Sequence, residues 1–265
     1  MFSTLFHTIL YQPIFNIFVG LYNIIPGHDT GIVILAVTIL VRLLLYPLTS
    51  SSIKAQKSMQ DLQPKLAEIK KQHAGDTQKQ TQATMELYKN NKVNPFASCL
   101  PLLIQLPILI ALYMVMRDGL VSATDLSKSL YPFIPNPGQL NSISFGFLNL
   151  SKPNVILAVL AGAAQYWQAR TMITKQPPRN AGEGSKDESM AAMMNKQMLY
   201  FMPVMTVVIG FSLPAGLTLY WLFSTLLTGL QQIFLFKKST PTDNPKVLEG
   251  EIVSAKGGSA FGGKK

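Results

Sequence analysis

Five runs of mostly apolar residues, each close to the length of a bilayer-crossing helix, leave this chain few ways to fold. They cover residues 31–50, 98–117, 154–173, 197–213 and 216–236. A hydrocarbon layer ~30 Å thick takes about 20 helical residues to cross, and lipid offers no hydrogen bonds to exposed backbone, so helices are the only economical choice. With 48% apolar and 14% charged residues and a positive mean hydropathy, the chain is also wrong for a disordered protein and unusual for a soluble enzyme. The expectation is an all-α integral membrane protein with five transmembrane helices.

The first of these runs carries a charge. Arg42 lies inside Gly31 to Leu48, and the other apolar runs contain no acidic residue to neutralise it. It falls about 4 Å from the midplane of that run at ~1.5 Å per residue. Arginine near a bilayer centre costs between ~2.5 and ~17 kcal/mol depending on the reference state, so such residues normally face protein or a wet cavity. Snorkelling would have to carry the guanidinium about 10 Å, longer than its stem comfortably reaches. The missing partner is expected to belong to another molecule.

Topology follows from the 23 basic residues. Eight lysines fall in 51–97, five basic residues in 170–196 and six after Phe236, whereas the alternate connections hold only Arg117, Lys128 and Lys152. The positive-inside rule then puts the N-terminus outside and the tail in the cytoplasm of a plasma-membrane protein. Topology accounts for most of the net charge of +10, so no sequence-specific nucleic-acid binding is invoked.

Residues 1–27 lack the basic start of a signal peptide. Their apolar residues recur at helical spacing between Thr4, His7, Tyr11, Asn16 and Asn23, which reads as an amphipathic helix in the outer interface, with a sixth span as the alternative. Residues 51–94 read as a cytoplasmic helical hairpin: helix formers from Ser52 to Gln72, a break at His73-Ala74-Gly75-Asp76, then Thr77 to Asn90. Its thin apolar stripe suits either a solvated linker or a contact for a client or partner. The outer loop 118–153, with four proline and glycine breakers between Pro132 and Gly138, is expected to rest on the membrane surface. The connection 175–189 and the tail 237–265 have the composition of disordered segments.

Polar residues within the spans align. Thr38, Arg42, Tyr46 and Thr49 share one helical face, as do Tyr220, Ser224, Thr228 and Gln231, while Gln105 and Gln165 add one amide each from the second and third spans. A single Ser or Thr in a membrane helix usually makes an interhelical hydrogen bond. Two aligned stripes and an unpaired arginine point further, to a hydrophilic groove walled by the first and last spans. No catalytic constellation exists: no span contains histidine, paired aspartates are absent, and the single cysteine, Cys99, lacks companions for a metal site. Neither enzyme activity nor a cofactor is expected. The methionines at 190, 194, 198, 202 and 205 form a helical stripe better read as packing than as a binding surface.

The segment Asn94-Pro95-Phe96-Ala97-Ser98-Cys99-Leu100-Pro101-Leu102-Leu103-Ile104-Gln105-Leu106-Pro107 resembles the YidC/Oxa/Alb membrane protein insertases. So do Val41-Arg42, Tyr46-Pro47-Leu48-Thr49, Leu62-Gln63-Pro64-Lys65, Phe201-Met202-Pro203 and the stretch from Pro214 to Trp221. The likeness is collinear from about Tyr11 to Phe236; Ser98 stands where glycine is frequent.

The resemblance implies five core spans around a groove open to cytoplasm and lipid and closed outside, with Arg42 at the position of the family's arginine. Polar client segments would enter that groove, and the client's apolar helix would leave along the first and last spans. Tyr220 and Trp221 match client-contacting positions. Thr38, Gln105, Gln165 and Ser224 complete the expected client-binding set with Arg42. Nascent membrane proteins are the implied partners, with the ribosome as a partner of the basic tail and the Sec translocon as an optional one. The large periplasmic domain and leading span of many Gram-negative members, and the lipid-bearing cysteine of Gram-positive ones, find no counterpart in these residues. The alternative function is a small-solute or anion transporter with Arg42 in its binding cavity, against which stands the lack of an internal repeat.

Overall fold

The structure is a computed structural model that describes residues 2–94, 100–121, 126–172 and 197–238. The expectations for the connection 175–189, for Met190 and Met194, and for the tail past Lys238 fall outside these residues. The described chain is helical apart from one two-stranded antiparallel ladder, β1 (Ile143–Ser144) with β2 (Leu148–Asn149), in which Ile143 pairs with Asn149 and Ser144 with Leu148.

The chain opens with α1 (Phe2–Phe6), a π-helical turn His7–Tyr11 and α2 (Gln12–Ile24). Pro13 stands directly after the π-helical turn, at the junction where α2 begins. Thr4–Ile24 is long and apolar enough to cross a bilayer. One face of it is nonetheless tied to the loop that follows α7: Asn16 Nδ2 donates to the Ser129 carbonyl (2.8 Å), Asn16 Oδ1 accepts from the Tyr131 N–H (2.6 Å), and the Tyr22 hydroxyl accepts from the Asn141 N–H (3.0 Å).

α3 (Thr30–Leu44) is capped by Asp29, whose carboxylate accepts from the Gly31 and Ile32 N–H groups at 2.8 and 3.2 Å. The expected continuous span 31–50 is not one straight helix. α3 ends at Leu44, and α4 (Tyr46–Asp61) departs at 69°. Pro47 is the cause: it cannot donate to the Leu43 carbonyl, and it disfavours helical geometry at Tyr46. Pro64 acts in the same way after Leu62, where α4 gives way to α5 (Gln63–Gln72). A turn through Gly75, at φ +89°, leads to α6 (Thr77–Asn90), capped by Asp76 accepting from the Lys79 N–H at 3.0 Å. No residue of α6 is buried, so the α5–α6 pair has little to hold it rigid.

α7 (Leu100–Met116) runs through Pro107 into a π-turn, Arg117–Val121. After the ladder come α8 (Val155–Met172), a π-turn Gln197–Phe201, the short α9 (Met202–Gly210) and the 24-residue α10 (Ala215–Lys238). Leu103–Leu120 and Ala215–Phe236 also meet the length and apolarity of a span, as does the bent α3–α4 pair taken together. α8 packs along both α9 and α10. At Gly229 of α10 a Cβ would lie within 3.0 Å of three Trp167 ring atoms, so the indole packs where any larger residue would displace it.

The buried core lies toward one end of the bundle. Phe15, Phe18 and Val19 of α2, Val33, Ile34 and Val37 of α3, Leu112 and Met116 of α7, Leu148 and Leu150 of the ladder region, and Leu217 and Tyr220 of α10 pack together. Toward the far end of α3, Ile39, Leu43 and Leu44 are exposed, as are Leu103, Leu106 and Ile110 on α7 and Leu230, Ile233 and Phe234 on α10. An apolar outer surface of this extent suits lipid and not water.

Candidate functional site

Arg42 sits in the last turn of α3, one turn before the Pro47 bend, and its side chain reaches across to the middle of α10. Nε donates to the Ser224 hydroxyl at 3.1 Å, and Nη2 donates to the Ser224 carbonyl at 3.0 Å and to the same hydroxyl. Nη1 makes no hydrogen bond among the described residues. The ion pairs among those residues are Lys79–Asp76 and Arg117–Asp118, so none involves Arg42. Hydrogen bonds to a charged group contribute about 1.5–3 kcal/mol each, so the Ser224 contacts are of the same order as the cost of burying a guanidinium in an apolar helix.

Arg42 opens onto a cavity of about 310 Å³ between α3 and α10, lined by Ile39, Arg42, Leu43, Tyr46, Leu227, Gln231 and Phe234. Four of its seven walls are aliphatic or phenyl groups, so the cavity is an apolar cleft with a cationic end. Its α4 side is secured by Gln231, whose Nε2 donates to the hydroxyls of Thr49 and Ser50 at 3.0 Å each.

The residues singled out by periodicity divide into three groups. Arg42 and Ser224 meet directly. Gln105 and Tyr220 meet one layer deeper, where the amide Nε2 donates to the phenol oxygen at 2.7 Å; Tyr220 is 2% exposed and does not line the cavity. Thr38 and Gln165 stand apart. The Thr38 hydroxyl is fully buried and donates to the Ile34 carbonyl (2.6 Å), while Gln165 accepts from Thr206 of α9, on the other side of α8. Trp221 is half-buried and is not a wall of the cavity. Tyr46 and Gln231, both in the polar stripes, do line it, and Leu227 and Phe234 join them. These two apolar walls carried no polar signal, but they lie four before and three after Gln231, on the face it occupies. Thr171 and Gln232 make a further interhelical pair, hydroxyl to amide oxygen at 3.0 Å.

No cluster of three metal-ligating side chains occurs among the described residues. The side chains that line the cleft or hold Arg42 include no carboxylate, imidazole or thiol. The cleft combines one cation, a few hydrogen-bonding groups and apolar walls.

Fold and site together define a multi-span helical membrane protein in which, among the described residues, Arg42 meets Ser224 and no carboxylate. Residues 16–242 match the family described as 60Kd inner membrane protein, and the chain belongs to that family. It is 39% identical over 210 residues to the membrane protein insertase YidC of Fusobacterium nucleatum subsp. nucleatum, covering 78% of this chain and 86% of that one. The insertase YidC of Oceanobacillus iheyensis is 35% identical over 223 residues, 82% of this chain and 77% of the relative. That of Anaeromyxobacter sp. is 35% identical over 215 residues, and there the match spans only 34% of the relative. Among solved structures, an active YidC insertase crystal structure with its first transmembrane domain resolved superposes with a TM-score of 0.52 at 28% identity, over 77% of this chain and 41% of that one.

Proposed function

We propose that this protein inserts newly made proteins into the inner membrane, and that Arg42 receives the polar segment of a client that must cross first. The observation that carries this reading is that Arg42 is held by a neutral partner, Ser224, and by no carboxylate among the described residues. An acidic residue in a client's short leading segment would meet Arg42 at an effective dielectric near 20, where two unit charges ~4 Å apart attract by about 4 kcal/mol. That offsets part of the client's desolvation and shortens the remaining crossing. The client's apolar helix would then pass Leu43, Leu227 and Phe234 into lipid, where its burial drives release.

The wider reading keeps five spans around the groove, the N-terminus outside, the tail and the hairpin in the cytoplasm, and α1–α2 across the outer end, where Asn16, Asn23 and Tyr22 bond to the loop. No covalent step or cofactor is required. Nascent chains are the clients; the ribosome would meet the basic tail, and the Sec translocon would be an accessory to the same groove. Against an anion transporter stands the lack of an internal repeat in the sequence.

The test is insertion into proteoliposomes of a single-span client bearing an acidic leading segment, beside the same client with that segment neutral. Arg42→Ala should impair the acidic client most. Equal insertion of both clients by wild type and Arg42→Ala would sink the proposed role of the charge.

A further inference from the structure

A second cavity, of about 280 Å³, lies at the opposite end of α10 from the cleft at Arg42. It is bounded by Tyr113 and Arg117 at the end of α7, Ser151 and Pro153 before α8, and Ser212, Leu213 and Pro214 before α10. Backbone bonds join these segments: Ala215 N–H donates to the Lys152 carbonyl (2.9 Å) and Gly216 N–H to that of Leu150 (3.0 Å). The Ser151 hydroxyl donates to the Leu120 carbonyl (3.3 Å), which ties in the segment that follows α7.

The rim gathers one guanidinium and the hydroxyls of Tyr113, Ser151 and Ser212 just past the apolar run of α7. Arg117 is the first charged residue after the 17-residue apolar helix Leu100–Met116, which at ~1.5 Å per residue nearly spans the hydrocarbon layer. Tyr113, one turn earlier, is an aromatic of the kind that marks the interface. Arg117 is paired through Nε to Asp118 Oδ1 (2.9 Å), and Asp118 Oδ2 accepts from the Tyr11 hydroxyl (2.9 Å). Asp118 thus holds the guanidinium by one edge, while among the described residues its two Nη groups make no other hydrogen bond. The exposed Lys152, between two rim residues, adds a second cation at this end, so the positive charge is not cancelled by Asp118.

We propose that this cavity binds the phosphate of a phospholipid headgroup, with the Arg117 Nη groups as the charged fork and the hydroxyls of Tyr113 and Ser212 as further donors. A guanidinium offers two parallel N–H bonds to a phosphate, which makes it the strongest contact in the set. A lipid seated there would bridge the end of α7 and the α9–α10 turn, fixing the start of α10 against the bilayer.

The test is native mass spectrometry of the full, delipidated chain titrated with phosphatidylglycerol, with Arg117→Gln, Tyr113→Phe combined with Ser212→Ala, and Lys128→Gln as a variant on the same end outside the cavity. One lipid should bind ahead of the rest. Its affinity should fall about tenfold in Arg117→Gln, the scale of one lost charge-assisted hydrogen bond, and stay unchanged in Lys128→Gln. Undiminished binding in Arg117→Gln at unchanged melting temperature would overturn the site. If that variant does not fold, undiminished binding in the Tyr113→Phe/Ser212→Ala protein overturns it instead. Displacement of the lipid by millimolar inorganic phosphate would assign the cavity to free phosphate and overturn the lipid.

Discussion

Arg42 and Ser224 are 182 residues apart in sequence and joined in space by the 3.1 Å bond from Nε to the hydroxyl, reinforced by the Ser224 carbonyl at 3.0 Å from Nη2. Replacing Ser224 with alanine removes the hydroxyl and leaves the cation one backbone acceptor. The expected loss is about 1.5–3 kcal/mol of stability, the usual size for a hydrogen bond to a charged group, measured by steric-trap unfolding in bicelles. The double variant Arg42→Met/Ser224→Ala should lose less than Ser224→Ala alone, because no cation remains to be solvated.

Gly229 and Trp167 define the α8–α10 contact. A Cβ at Gly229 would sit 2.9 Å from Cη2 and 3.0 Å from Cε3 of the indole, and nearer still to Cζ3. Gly229→Ala is therefore expected to destabilise by about 1–3 kcal/mol through overpacking, seen as a lowered melting temperature. Trp167→Leu should relieve much of this in the double variant, a coupling that a cycle of the four proteins would read directly.

Asp29 ties the start of α3 to the β1–β2 ladder. Partial burial pushes its carboxyl up, but the Ser144 hydroxyl and the N–H groups of Phe145, Ile32 and Gly31 outweigh this and hold it below the usual carboxylate range. A depressed folded value means the contribution is complete above the unfolded value near ~3.9 and is lost as pH falls through the lower folded value. Protection of the Gly31, Ile32 and Phe145 amides, corrected for intrinsic exchange, should be flat from neutral pH to about 4 and fall below it. Asp29→Asn should abolish that pH dependence.

How much of this was legible in the sequence differs from residue to residue. A charge in an apolar run needs only counting, so Arg42 is legible at once, and two stripes of matching spacing point to α3 facing α10; that Arg42 meets Ser224 itself is visible only in the structure. The bend at Leu45 was visible in Tyr46-Pro47, yet apolar length alone favoured one unbroken span over 31–50; the proline's missing donor decides otherwise. Gln165 shows the limit of periodicity. A polar residue on a helix marks a face, but only packing determines which neighbour that face meets, and α8 turns Gln165 toward Thr206 on α9. Thr38 is turned inward for a related reason: a threonine hydroxyl can satisfy itself on the carbonyl four residues back, as Thr38 does on Ile34. The ladder beside Asp29 had no usable signal, since two-residue strands are too short to show alternation.

Gln231 is the polar tie between α10 and the start of α4, donating to Thr49 and Ser50. Lys57 adds a cation–π contact above the Phe236 ring, 5.5 Å from its centroid. At about 1 kcal/mol for each neutral hydrogen bond, Gln231→Leu should raise the opening equilibrium of α4 roughly tenfold or more. Deuterium uptake across 46–61 should rise accordingly, with α8 unchanged.

Photocrosslinkers can separate the cavity walls from the residues that only share their periodicity. Leu227 and Tyr46 line the cleft with Arg42, whereas Thr38 is fully buried and Gln165 lies against α9. With ribosome-bound chains of a short single-span client, probes at Leu227 and Tyr46 should give adducts that vary with nascent-chain length, and probes at Thr38 and Gln165 should give few. Trp221, half-buried and outside the cleft, should label less than Leu227 if the client enters along the α3–α10 seam. Strong labelling at Gln165 with none at Leu227 would move the client path to the α8–α9 side and leave Arg42 with a structural role through Ser224.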